Sequence, residues 1–248
     1  MDNNIENLIE GKNAILEALK ANKSVKKLFV LKDTKDSKIN DIINKAKEQN
    51  AIIIFQNKKE LDLLSNCGKH QGVIAQIEEY SYVSVDDIIN YALSKNEKPF
   101  IIILDEIIDP HNLGAIIRTA NLCGAHGIIL KNRNQVPITS IVINASAGAI
   151  YHTKIAKVIN LSNTIDDLKK KGLWFVCSDI SGENMYNIDM KGAIGLVVGN
   201  EGEGVSRLVR EKCDYVIKIP MYGNIDSLNV SVSTGIIAYE IVRQNKFL

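Results

Sequence analysis

Three polar segments of this 248-residue chain carry the residue types that bind and orient a ligand. One is Ile219-Pro220-Met221-Tyr222-Gly223-Asn224-Ile225-Asp226-Ser227-Leu228-Asn229-Val230-Ser231, between a β-branched run and an apolar helix. Pro220 halts the strand, and Gly223-Asn224 supplies a turn. Ser227 and Asn229 then stand at a helix start, where free N–H groups and the helix dipole favour a polar ligand. Ile219, Met221 and Leu228 offer apolar walls for a flat ring. A second segment, Asp109-Pro110-His111-Asn112-Leu113-Gly114-Ala115-Ile116-Ile117-Arg118, reads as a turn entering a helix. Asn112 and Arg118 are separated by about 600° of helical rotation, so they share no stripe. A common site would take Asn112 from the loop and Arg118 from the helix flank. The third, Gly199-Asn200-Glu201-Gly202-Glu203-Gly204, ends a buried strand with glycines that let the backbone approach a ligand. It lacks the ending of a Walker loop and the glycine order of a dinucleotide fingerprint, and its two glutamates would repel pyrophosphate. Glu201 and Glu203 suit a ligand with a cationic or hydroxyl-bearing part. Each segment also suits plainer work: a capped strand–turn–helix, an N-capping Asn112 with a solvated Arg118, and a Gly-rich turn with solvated acids.

The elements that must hold these loops read as α/β. From Phe100 onward, strands are expected at Phe100–Leu104, Gly127–Leu130, Ile155–Val158, Leu173–Cys177, Ala193–Val198 and Asp214–Ile219. Helices are expected at Asn112–Cys123, Ser140–Ser146, Ser162–Lys170, Ser206–Glu211 and Ser231–Asn245. Near-continuous apolar strands between helices imply a mostly parallel sheet covered on both faces, with the three loops at strand C-terminal ends, where such sheets place ligands. The first 80 residues form a smaller α/β alternation: a helical pattern over 5–20 beginning at Ile5 and broken by Gly11, a strand at Leu28–Leu31, a helix at Ile39–Gln49, a buried strand at Ala51–Phe55, a short helix near Lys59–Leu64 and a strand at Gly72–Ile77. Three regions follow: a domain over 1–80, a linker over 81–98 holding a helix at Val85–Leu93, and a second domain over 99–248.

Bulk properties narrow the class. An apolar fraction of 46%, a charged fraction of 24% and a net charge of +1 suit an ordinary globular protein, and no global basic field advertises nucleic acid. Apolar runs such as Ile101–Leu104 are too short for a bilayer, and the polar N-terminus is unlike a signal peptide, so a cytoplasmic protein without membrane contact is expected. Cys67, Cys123, Cys177 and Cys213 are scattered, which suggests neither a metal site nor a disulfide framework.

The motifs Asn112-x-Gly114-x-x-x-Arg118, Gly199-Asn200-Glu201-Gly202-Glu203-Gly204 and Ile219-Pro220-Met221…Ser227-Leu228-Asn229-Val230-Ser231 resemble, in order and spacing, the three motifs of the SpoU (TrmH-type) RNA ribose 2′-O-methyltransferases. Gly11-Lys12-Asn13-Ala14-Ile15-Leu16-Glu17-Ala18-Leu19 and His70-Gln71-Gly72-Val73-Ile74-Ala75 resemble the N-terminal RNA-binding domain of the branch acting on guanosine in bacterial 23S rRNA. The resemblance implies an L30e-like first domain and a SPOUT second domain with a C-terminal trefoil knot, which periodicity alone argues against. It implies S-adenosylmethionine as cofactor, no metal, and a homodimer with its site at the interface. Gly199, Ile219 and Leu228, with Met221 and Asn200, would contact the cofactor. Asn112, Arg118, Glu201, Ser227 and Asn229 would surround the reacting ribose. Lys12, Lys23, Lys26, Lys27 and Lys69 are candidate phosphate contacts. A tRNA 2′-O-methyltransferase and a catalytically silent RNA-binding or ribosome-assembly protein stay open as alternatives.

Overall fold

The structure is a computed structural model that describes residues 7–225 and 227–247; Ile5 and Asp226 lie outside the described residues. Two compact units result, one of residues up to Ser81 with Pro137–His152, the other of Tyr82–Val136 with Thr153–Leu248.

The first unit contains β1 (Leu8–Glu10), α1 (Lys12–Lys20), β2 (Val25–Leu31), α2 (Ser37–Glu48), β3 (Ile52–Gln56), α3 (Lys58–Leu64) and β4 (Val73–Ile77). Its sheet has the order β1-β4-β2-β3, with only β2 and β3 parallel. Leu8–Glu10 is a strand where helical spacing was expected. Gly11, at φ +84, turns the chain, and pairing with Gln76–Ile74 overrides the local pattern. The Ala51–Phe55 segment is also less buried than its composition suggests. As β3 it forms the sheet edge, with Ile52 59% and Phe55 53% exposed. Local chemistry starts the helices as expected. Asp36 accepts from the first N–H groups of α2, and Asn57 and Glu60 form a reciprocal capping box on α3.

The second unit begins within the stretch expected to be a linker. There α4 (Val85–Ser94), capped by Ser84 and Asp87, packs Ile88 and Ile89 into that unit's core. Next come β5 (Phe100–Leu104), α5 (Pro110–Leu122) and β6 (Gly127–Lys131). The following segment, with α6 (Ser140–Ala145) and a 3-10 turn at Ala149–His152, belongs to the first unit, where α6 packs on β1. The second unit resumes with β7 (Ile155–Val158), α7 (Leu161–Lys170), β8 (Trp174–Asn184), β9 (Ile194–Val198), α8 (Arg207–Arg210), β10 (Tyr215–Lys218) and α9 (Val230–Lys246).

All six strands of its sheet are parallel, in the order β10-β8-β9-β5-β6-β7. Strands β9, β5 and β6 are buried on both faces along almost their whole length, which explains their unbroken apolar runs. From β10 at one edge the chain passes inward to α9, which packs on α5 and β9. Strand β8 runs past its expected end at Cys177. Its register with β10 jumps between Cys177 and Glu183, so the intervening residues bulge out of the ladder. Among the described residues no helix is long and apolar enough to cross a membrane.

Candidate active site

The loop after β9 owes its shape to glycine. Asn200 and Gly204 exchange backbone hydrogen bonds of 3.0 and 2.9 Å, folding the loop back on itself. A Cβ on Gly199 would lie 2.1 Å from the Gly204 carbonyl oxygen, so no other residue fits without displacing backbone. Asn200 is committed to this fold. Its Nδ2 donates to the Glu106 carbonyl at 3.1 Å, and its Oδ1 accepts from the Gly202 N–H at 2.8 Å.

Glu201 stands at the centre of a network drawn from all three polar segments. Asn112 Nδ2 donates to Glu201 Oε1 at 2.6 Å, and Asn229 Nδ2 donates to the same oxygen at 2.8 Å. Asn229 Nδ2 also reaches Asn112 Oδ1 at 3.0 Å. The Asn229 amide is oriented from behind. Its Oδ1 caps α9, accepting from the Ser231 N–H at 2.9 Å and from the Ser231 hydroxyl at 2.6 Å. Asn112 is freed for the network because it does not cap α5. Asp109 does, accepting from the His111 N–H at 2.9 Å, with Pro110 as the first helical residue. Asn112 therefore enters from the buried first turn of α5 and not from the loop.

Arg118 is exposed farther along α5, and among the described residues nothing bonds its guanidinium. Sequence reasoning grouped it with Asn112 and Glu201. The structure brings together Asn112, Glu201 and Asn229, and leaves Arg118 outside that network.

Beside the network opens a cleft of about 980 Å³. Gly199, Asn200, Glu201, Ile219, Met221, Ser227 and Leu228 all line it. Asn112 instead borders a chamber of about 40 Å³, which Asn200 and Glu201 share with the cleft. A further wall of the cleft was not foreseen. It consists of the β8 bulge, Ser178–Ser181, with Arg210 and Lys218. The available signal was the polar run Ser178-Asp179-Ile180-Ser181-Gly182 directly after an apolar strand. Asp179 organises this wall. Burial pushes its carboxyl upward, but the Ser181 hydroxyl and N–H and the Arg210 charge outweigh that and hold it below its ordinary value. Arg210 also donates to the Ser181 hydroxyl at 2.7 Å. The apolar Ile219, Met221 and Leu228 thus line the same cleft as the Asp179 carboxyl.

Residues 99–239 match the SpoU rRNA methylase family, and residues 8–83 match the substrate-binding domain of RNA 2′-O ribose methyltransferases. This chain belongs to the SpoU family. The SpoU chain is 45% identical over 235 residues to YacO of Bacillus subtilis (strain 168), named for the TrmH family of tRNA/rRNA methyltransferases, with 94% of each chain covered. A Staphylococcus epidermidis relative with the same family name is 40% identical, covering 96% of this chain and 95% of its own. An AdoMet-bound rRNA methyltransferase from Sinorhizobium meliloti superposes with a TM-score of 0.78 at 25% identity, over 98% of this SpoU chain and 88% of that one. AviRb of Streptomyces viridochromogenes, a SpoU methyltransferase solved with AdoMet, shares the fold with a TM-score of 0.79 at 24% identity, over 96% and 89% of the two chains.

In the first unit, His70 of the resemblance motif and one candidate phosphate contact, Lys12, are already engaged by other side chains. His70 is buried, its Nε2 2.9 Å from Asp62 and its Nδ1 accepting from the Gly72 N–H at 3.0 Å, so it shapes the loop before β4. Lys12 pairs with Asp36 at 2.8 Å. Lys26 and Lys69 are exposed.

Proposed function

We propose that this RNA 2′-O-ribose methyltransferase uses S-adenosylmethionine to methylate the ribose 2′-hydroxyl of a guanosine in 23S rRNA. The observation that carries the reading is the Asn112–Glu201–Asn229 network at the rim of the cleft. The cleft fits the cofactor chemically. Backbone at Gly199 and the apolar Ile219, Met221 and Leu228 suit the adenine ring, while Asp179 and Glu203 suit hydroxyl and ammonium groups. When bound, S-adenosylmethionine would supply an electrophilic methyl on a sulfonium sulfur, whose leaving group is a neutral thioether.

The protein's work is then alignment of the attacking oxygen and stabilisation of its developing charge. Both amides load Glu201 Oε1, and no described residue bonds Oε2, which keeps its acceptor capacity for a ribose hydroxyl. Asn112 and Asn229 hold that carboxylate in place. A guanidinium stays protonated far above neutral pH, so Arg118 acts as an electrostatic group: it holds the RNA phosphate beside the reacting ribose and stabilises the emerging alkoxide. Its place outside the network fits a homodimer in which a second copy completes the site, and the trefoil knot belongs to the same reading. Ser227 contacts the ribose from the cleft mouth, and the first unit reads an unstacked RNA segment.

The test maps 2′-O-methyl groups on cellular rRNA and tRNA with and without the protein, alongside titration with S-adenosylmethionine. Loss of one 23S guanosine mark supports the proposal. Loss of a tRNA mark alone moves the target to tRNA, and absence of cofactor binding favours a silent RNA-binding role.

A further inference from the structure

The loop carrying Gly199, Asn200 and Glu201 is gripped at both ends by two consecutive residues that no step above uses. Asp105, just past β5, is 1% exposed. Its N–H donates to the Val198 carbonyl at 2.9 Å, and its Oδ2 accepts from the Ser206 N–H, beyond the far end of the loop, at 2.9 Å. Glu106 follows at φ +65, a left-handed conformation that a residue with a side chain rarely adopts. In that conformation its carbonyl accepts from Asn200 Nδ2, at the near end of the loop. Lys131, ending β6, serves both acids. It is ion-paired to Glu106, and its Nζ lies 3.8 Å from Asp105 Oδ1, a buried oxygen without a hydrogen-bond partner among the described residues. Asn134 Nδ2 steadies Glu106 Oε1 at 3.3 Å. Lys131 is thus the cation that faces both carboxyls.

We infer that Lys131, Asp105 and Glu106 form a clamp of positioning residues that sets the Gly199–Ser206 loop, and through it the place of the Glu201 carboxylate. The clamp rests on geometry; its consequence for cofactor affinity rests on the methyl-transfer reading.

Amide hydrogen exchange on the ligand-free protein tests it, with Asp105→Asn, Lys131→Met, their double variant and Lys131→Arg. Lys170→Met, which breaks an exposed pair with Asp167, is the control. Each single neutralisation raises exchange over residues 199–206 by about tenfold or more while the first unit keeps its protection. The double variant is no worse than either single one, because both remove the same coupling. Lys131→Arg restores slow exchange. S-adenosylmethionine affinity falls by a similar factor and RNA affinity holds. Unchanged loop exchange in Asp105→Asn and Lys131→Met, or an increase spread evenly over the whole second unit, overturns the clamp. Faster loop exchange in a protein whose wild type binds no S-adenosylmethionine upholds the clamp and overturns the transfer reading.

Discussion

Asn112 Nδ2 donates to Glu201 Oε1 at 2.6 Å across 89 residues of sequence. That bond ties the start of α5 to the loop after β9, and Asn229 adds the start of α9 to the same oxygen. A carboxylate that receives two side-chain amides is both acceptor and anchor, and the two roles separate by mutation. In Glu201→Ala the buried Asn112 amide loses its acceptor, which costs about 1–3 kcal/mol in a denaturant melt. Methyl transfer to RNA falls by about 100-fold or more. Glu201→Gln keeps an acceptor oxygen and stays closer to wild type in both measurements. An alanine variant with wild-type stability and turnover would remove the network from the mechanism.

Arg118→Ala should separate chemistry from folding. The side chain is exposed and unbonded among the described residues, so stability changes by no more than about 0.5 kcal/mol. S-adenosylmethionine affinity stays at the wild-type value, while single-turnover transfer falls by about 100-fold or more. Near-wild-type transfer would leave this residue without a catalytic role.

Two glycines flanking the cleft give opposite expectations. Gly199→Ala forces a methyl to within 2.1 Å of the Gly204 carbonyl, and Gly223→Ala meets nothing within 4 Å. The first substitution costs about 1–3 kcal/mol and weakens the cofactor titration; the second leaves the thermal melt unchanged. Equal melts for the two variants would contradict the tight backbone contact.

Acid should weaken the second unit through His126. Its ring is 4% exposed, with Nδ1 accepting from the Phe100 N–H at 3.0 Å and Nε2 2.9 Å from Glu97. Burial pushes the ring below its ordinary value of 6.5, against the pull of Glu97. The unfolded chain therefore takes up a proton at higher pH than the folded one. Stability from this group is full above about pH 6.5 and is lost progressively as the pH falls below it. Urea midpoints measured from pH 8 to pH 5 should decline, and His126→Gln should flatten that decline. Parallel pH profiles would show that another group is responsible.

The stretch before β5 also contributes to stability. Ile88 is fully buried, and three of its carbons lie 2.7 Å from where a Cβ on Gly127 would be. Ile88→Ala should cost about 2–5 kcal/mol in a denaturant melt, a penalty foreign to a residue in a linker.

The loops around the site were legible because their punctuation is local. Pro220, Gly223-Asn224 and the alternate glycines after Val198 mark strand ends from their own chemistry. What escaped depends on partners far along the chain. Leu8–Glu10 is a strand because β4 pairs with it, and periodicity within 5–20 carries no trace of that partner. Asn112 looked like a cap, yet Asp109-Pro110 starts α5 earlier and releases its side chain. The β8 bulge arises from a register jump against β10, so Ser178–Ser181 could be read only as a loop. Nothing in the spacing of Asn112 and Arg118 decides whether one molecule uses both.

The Asn112–Glu201–Asn229 network also sets a timetable for biosynthesis. Its first member stands in the first turn of α5 and its last, Asn229, caps α9, 117 residues later. A growing chain that has completed β5 to β9 and the loop after it has the Asn112 amide for Glu201 but not yet the second amide from residue 229. The network is therefore complete only once residue 229 has emerged and α9 has docked on α5 and β9.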